Sequence, residues 1–115
     1  MTDRFEAVVR HDAGTEVVDL TGVLDGDAAA AVTRAYEALP RDAERVLLNF
    51  APMSFMNSSG IALVVELLAK ARLDGRTVHA TGLTEHYRHI FEITRLSDFM
   101  TIHADEASAV AEAAR

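Results

Sequence analysis

The segment Arg45-Val46-Leu47-Leu48-Asn49-Phe50 carries three apolar residues in succession. A strand with one wet face alternates apolar and polar residues, so an unbroken run marks a strand covered on both faces, as in the interior of a parallel sheet. Parallel neighbours cannot be joined by a tight turn; they need crossover connections, which are usually helices. The remainder of the chain must therefore supply strands and helices in alternation.

It does. Phe5, Ala7 and Val9 alternate with Glu6 and Arg10, and Val18 and Leu20 share one face of a second strand, so a hairpin is expected around Asp12-Ala13-Gly14. A turn at Asp25-Gly26 and an N-cap at Asp27 open an alanine-rich helix that ends before Pro40, with Val32, Ala35, Tyr36 and Leu39 on its inner stripe. A second helix begins near Ser58 and runs to about Leu73, where Gly75 supplies a left-handed stop before a strand opened by Arg76. Thr84 caps a third helix with Tyr87, Ile90, Phe91 and Thr94 on one stripe. A short strand near Met100–His103 and a helix over 105–114 complete the order ββαβαβαβα, which implies a mixed, largely parallel sheet with helical layers. No repeat, low-complexity segment or linker divides the chain, and 1–115 reads as a single α/β domain with about four helices.

The formal net charge of −7 disfavours nucleic acid and anionic membrane surfaces, since both are bound chiefly through Lys and Arg. Protein partners or small ligands remain. There is no cysteine, which excludes thiolate chemistry and disulfides. The longest apolar stretch, broken by Glu66 and Lys70, is too short and too charged to span a bilayer, and the N-terminus lacks a signal-like apolar run. A cytoplasmic protein is expected.

The candidate site is the turn Asn57-Ser58-Ser59-Gly60, which joins the doubly covered strand to the second helix. Functional loops of open α/β sheets gather at the carboxyl ends of strands, and a helix N-terminus stabilises a phosphate through its free N–H groups and its dipole. Capping by Asn57, Ser58 or Ser59 is the plain alternative for these residue types. A hydrolase elbow needs a glycine two places before the nucleophilic serine, and neither serine has one, so no catalytic residue is assigned.

Taken together, "LTGVLDGD", the central block "RVLLNFAPMSFMNSSGIALVVELLAKARLDGRTVHATGL" and "IFEITRLSDFMTIHADEASAV" resemble the STAS domain of bacterial anti-sigma factor antagonists over essentially the full chain. The resemblance implies the STAS fold and a binding module that is not an enzyme. In that family the unphosphorylated domain binds an anti-sigma factor that is also a serine kinase. Phosphorylation of the first serine of Asp-Ser-Ser-Gly ends binding, and a serine phosphatase restores it. The matching acceptor is Ser58, with Asn57, Ser59, Gly60, Asp25, Ile61 and Met56 in the phosphorylation loop and partner surface, and Gly60 allowing close approach of a partner's backbone. Two departures stand out: Asn57 replaces the family Asp, and Gly22-Val23-Leu24-Asp25 replaces Gly-Glu-Leu-Asp. Because Asn57 could weaken phosphorylation or prolong the phosphorylated state, a rival reading is a STAS scaffold subunit of a stressosome-like assembly or a lipid-transport ABC ATPase, without a switch.

The second helix has apolar residues on two sides: Ile61, Val64, Val65, Leu68 and Ala71 on one stripe, Leu63 and Leu67 on another. Either a neighbouring helix covers the surplus or a partner does. His86 and His89 sit three apart on an expected helix face, which alone makes no metal site, and His11, His79 and His103 are dispersed without ligand spacing. No cofactor or metal is expected.

Overall fold

The computed structural model describes residues 4–113. Strands β1 (Glu6–Asp12) and β2 (Thr15–Leu24) form an antiparallel hairpin closed by Ala13-Gly14, both at positive φ as a tight two-residue turn demands. β2 runs parallel to β3 (Arg45–Asn49), β3 to β5 (Thr77–Thr81), and β5 to β6 (Thr101–Ile102). The order across the sheet is β1-β2-β3-β5-β6, so the apolar run does occupy the centre.

Its two coverings are distinct. Val46 and Leu48 point into a core built with Val18, Leu20, Val78 and Ala80 from the sheet and with residues of α1 (Ala29–Glu37), α2 (Ser58–Leu73) and α3 (Glu85–Ile93). Leu47 points the other way, where it packs with Val17 beneath Ala109 of α4 (Glu106–Ala113). One strand thus serves two cores, and that is why it lacks polar alternation. The α4 side is the more polar. Arg45, Asn49, Thr77 and His79 share the parity of Leu47 along β3 and β5, and the Arg10 guanidinium pairs with both Asp19 and Glu106, tying α4 to the hairpin.

Three sequence expectations need correction. A further strand, β4 (Met53–Met56), pairs in parallel with the distal end of β2, which outlasts β3; the order is ββαββαβαβα. The capping acid of the first helical segment is Asp25, whose carboxylate accepts from the Asp27 N–H at 2.9 Å and starts a 3-10 turn over Gly26–Ala28 that leads into α1. Thr94 is off the inner stripe: it is the exposed C-cap of α3, and its hydroxyl donates to the Ile90 carbonyl at 2.7 Å. The last residue of the expected terminal helix, Ala114, lies outside the described residues.

The apolar surplus on α2 is largely covered. Val64, Leu67, Leu68 and Ala71 are buried, and α1 lies over the Leu63 and Leu67 side with Val32 and Tyr36. Only Val65 of the expected stripe is exposed. Lys70 stands over the Tyr36 ring, 5.6 Å from its centroid, so its stem and charge serve the α1–α2 seam.

Candidate functional site: the serine turn

β4 delivers the chain to the top of β2, and the turn there is anchored through the backbone. The Asn57 N–H donates to the Leu24 carbonyl at 3.4 Å, and the Met56 N–H donates to the Tyr87 hydroxyl of α3 at 3.0 Å. Asn57 is the N-cap of α2. Its backbone is extended, and its side-chain oxygen accepts from the Gly60 N–H at 3.0 Å. Capping is therefore assigned to Asn57, which leaves both serines without that duty.

Ser58 and Ser59 are exposed in the first turn, and among the described residues neither hydroxyl has a hydrogen-bond partner. Phe55, on β4, is 51% exposed on the approach to the turn. On the other flank, the 3-10 turn opened by Asp25 reaches the serines: a β-carbon on Gly26 would lie 3.7 Å from Ser59 Cβ. Asp25 and Ile61 are half-buried. Met56 and Gly60 are buried, so they lie beneath the surface rather than on it. The tight contact that the structure gives Gly60 is internal, with the Leu24 carbonyl.

An exposed hydroxyl in the first turn of a capped, sixteen-residue helix can accept a phosphoryl group without breaking any internal hydrogen bond. The positive end of the helix dipole would stabilise the added negative charge. Sequence reasoning missed Tyr87, whose hydroxyl is brought to Met56 by tertiary packing alone, and it left Phe55 off the site, although an aromatic residue three positions before Ser58 was a legible signal.

A family model described as "Mlab, STAS domain" matches residues 7–102. The chain belongs to the STAS-domain family. Over 65 residues this STAS domain is 32% identical to an anti-sigma-B factor antagonist of Staphylococcus epidermidis, a match covering 56% of the chain and 58% of that protein. The match thus spans little more than half the length of the curated relative. The fold is similar to that of an anti-sigma-factor antagonist (STAS) domain protein from Planctomyces limnophilus, with a TM-score of 0.78 at 15% identity over 96% of this chain and 99% of that one. It is similar also to the Bacillus cell fate determinant SpoIIAA in its phosphorylated form, with a TM-score of 0.66 at 23% identity over 96% and 99% of the two chains.

Other features of this STAS domain lie away from the serines. A cavity of about 550 Å³ opens at the far end of α2, between Val65, Leu68 and Arg72 and the segment carrying Leu96, Phe99 and Met100. It has no part in the serine turn. His86 and His89 are exposed on α3. His79 and His103, dispersed in sequence, are brought side by side by the parallel pairing of β5 and β6, with 3.0 Å between His79 Nδ1 and His103 Nε2. Burial, with help from the Arg45 and His103 side chains, pushes His79 down to about 4. No described helix is long and apolar enough to cross a membrane.

Proposed function

We propose that this STAS domain is a cytoplasmic anti-sigma factor antagonist, a binding module and not an enzyme. Unphosphorylated, it binds a serine-kinase anti-sigma factor through the surface around Phe55, Ser58 and Ser59; phosphorylation of Ser58 releases that partner, and a serine phosphatase restores binding. The carrying observation is the exposed Ser58 hydroxyl, without a hydrogen-bond partner among the described residues, in the first turn of a helix that Asn57 already caps. The antagonist named among its relatives supports the reading, as does the phosphorylated form of a protein of the same fold.

The mechanism follows from desolvation. A neutral hydroxyl enters a protein interface at small cost, whereas a phosphate carrying about two negative charges is costly to bury unless the partner brings cations to meet it. Asp25 and Asp27 are the chain neighbours of Gly26, which lies beside Ser59, and their charges add repulsion. Release then needs no change of fold, only a changed surface.

The test is to incubate the protein with ATP and serine-kinase anti-sigma factors of the same genome, locate phosphate by mass spectrometry, and measure kinase binding by wild type, Ser58→Ala and Ser58→Asp. The reading expects phosphate on Ser58, none on the alanine variant, and lost binding by the aspartate variant. A kinase that binds but leaves Ser58 unmodified, with full binding by Ser58→Asp, sinks it. Asn57 favours a second reading, a constitutive STAS scaffold subunit in a larger assembly; the family model, too, is described as Mlab and not as an antagonist. Under that reading Ser58→Asp leaves the assembly intact.

A further inference from the structure

We propose that His79, His103 and Glu112 form a zinc site that clamps α4 to the sheet. The three side chains come from β5, the residue following β6, and α4. Each offers a ligand atom, and these atoms all lie within 4.8 Å of one another. Two neutral imidazoles and one carboxylate are a donor set that suits zinc, with water at the fourth position.

The geometry is close to what an ion needs. Two nitrogens on a tetrahedral zinc stand about 3.3 Å apart, given bonds of about 2.0–2.1 Å; His79 Nδ1 and His103 Nε2 are 3.0 Å apart. The other ring nitrogen of His79 is 3.1 Å from the Thr77 hydroxyl, which can accept its proton and leave the Nδ1 lone pair facing His103. Among the described residues, Glu112 has no other charged partner. Its carboxylate is 3.6 Å from His103 Nδ1, the ring nitrogen that does not face His79 and too far for a hydrogen bond, and its side chain is 48% exposed, so it reaches the ion by swinging toward the gap.

His79 is 3% exposed, so an ion here would be shielded from water on the sheet side and reached past Glu112. Arg45 is the cation already facing the cluster. Its guanidinium donates to the Ala109 carbonyl at 3.0 Å, and its positive charge sets the affinity below that of a site with the same ligands and no cation. Arg10 with Glu106 holds the first turn of α4; the zinc would hold its last.

The experiment is calorimetric titration of the full chain with zinc chloride near neutral pH in a non-chelating buffer, with cobalt absorption spectra reporting coordination geometry. The expected result is one zinc per chain and a tetrahedral cobalt spectrum, with affinity falling by more than about tenfold in His103→Ala and in Glu112→Gln. Glu112 is peripheral, so its glutamine variant keeps the fold if His103→Ala does not. A His86→Ala/His89→Ala double variant should bind as wild type. No saturable binding, full affinity in Glu112→Gln, or loss of binding in the His86/His89 variant overturns the proposal.

Discussion

A β-carbon placed on Gly60 would lie 2.0 Å from the carbonyl oxygen of Leu24. The first turn of α2 therefore rests directly on the end of β2, and the height of the serine turn above the sheet is set by the absence of a side chain there. Backbone cannot yield as a flexible side chain can. Gly60→Ala should cost about 1–3 kcal/mol, the range for overpacking, and should lift the start of α2. Urea denaturation reads the first effect, and amide exchange of Asn57, which donates to the same carbonyl, reads the second. An unchanged midpoint would mean that the contact relaxes freely.

Asn57 separates capping from charge. Asn57→Ala removes the acceptor of the Gly60 N–H and should cost about 1 kcal/mol. Asn57→Asp keeps the cap and adds a negative charge at the positive end of the helix, so it should stabilise the unmodified domain by about 0.3–1 kcal/mol. Once Ser58 carries phosphate the same aspartate repels it, and the gain should shrink or reverse. Thermal melts of both variants, with and without Ser58 phosphorylation, check the sign in each state.

Tyr87 is the tertiary prop of the turn. Its hydroxyl accepts from the N–H of Met56, the residue of β4 that stands in register with Leu24 of β2. Tyr87→Phe keeps the ring and strands that N–H, which should cost about 1–3 kcal/mol and speed exchange of the Met56 amide more than that of amides in β3. Equal acceleration everywhere would indicate a global effect and not a local prop.

These dependences mark what could be read from the chain alone. Val46–Leu48, the stop at Gly75 and the cap at Thr84 were legible because each is a local signal. Gly75 does take a positive φ, and the bonds from Arg76 N–H to the Ala71 carbonyl and from Gly75 N–H to the Arg72 carbonyl close the helix end as expected. β4 was not legible, since four residues after a proline carry too little periodicity and exist as a strand only because β2 is long enough to pair with them. The choice between Asp25 and Asp27 was not legible, because two acids flank one glycine and only backbone geometry decides which of them caps. The pairing of His79 with His103 spans 24 positions and depends on strand order, which no spacing rule encodes.

His79 makes that tertiary pairing measurable through pH. In the metal-free domain, with chelator present, its imidazole is pushed down to about 4 by burial and by Arg45 and His103, with only Glu112 opposing. The ordinary value of an unfolded histidine is near 6.5, so between about 6.5 and 4 the unfolded chain binds a proton that the folded one refuses. Stability due to this residue is therefore complete above pH 6.5 and is lost progressively as pH falls toward 4. Allowing for screening at the edge of α4, the loss should be on the order of 1–2 kcal/mol, and His79→Gln should flatten that part of the profile. A ring-proton resonance of His79 that titrates near 6.5 would contradict the buried, neutral state on which this rests.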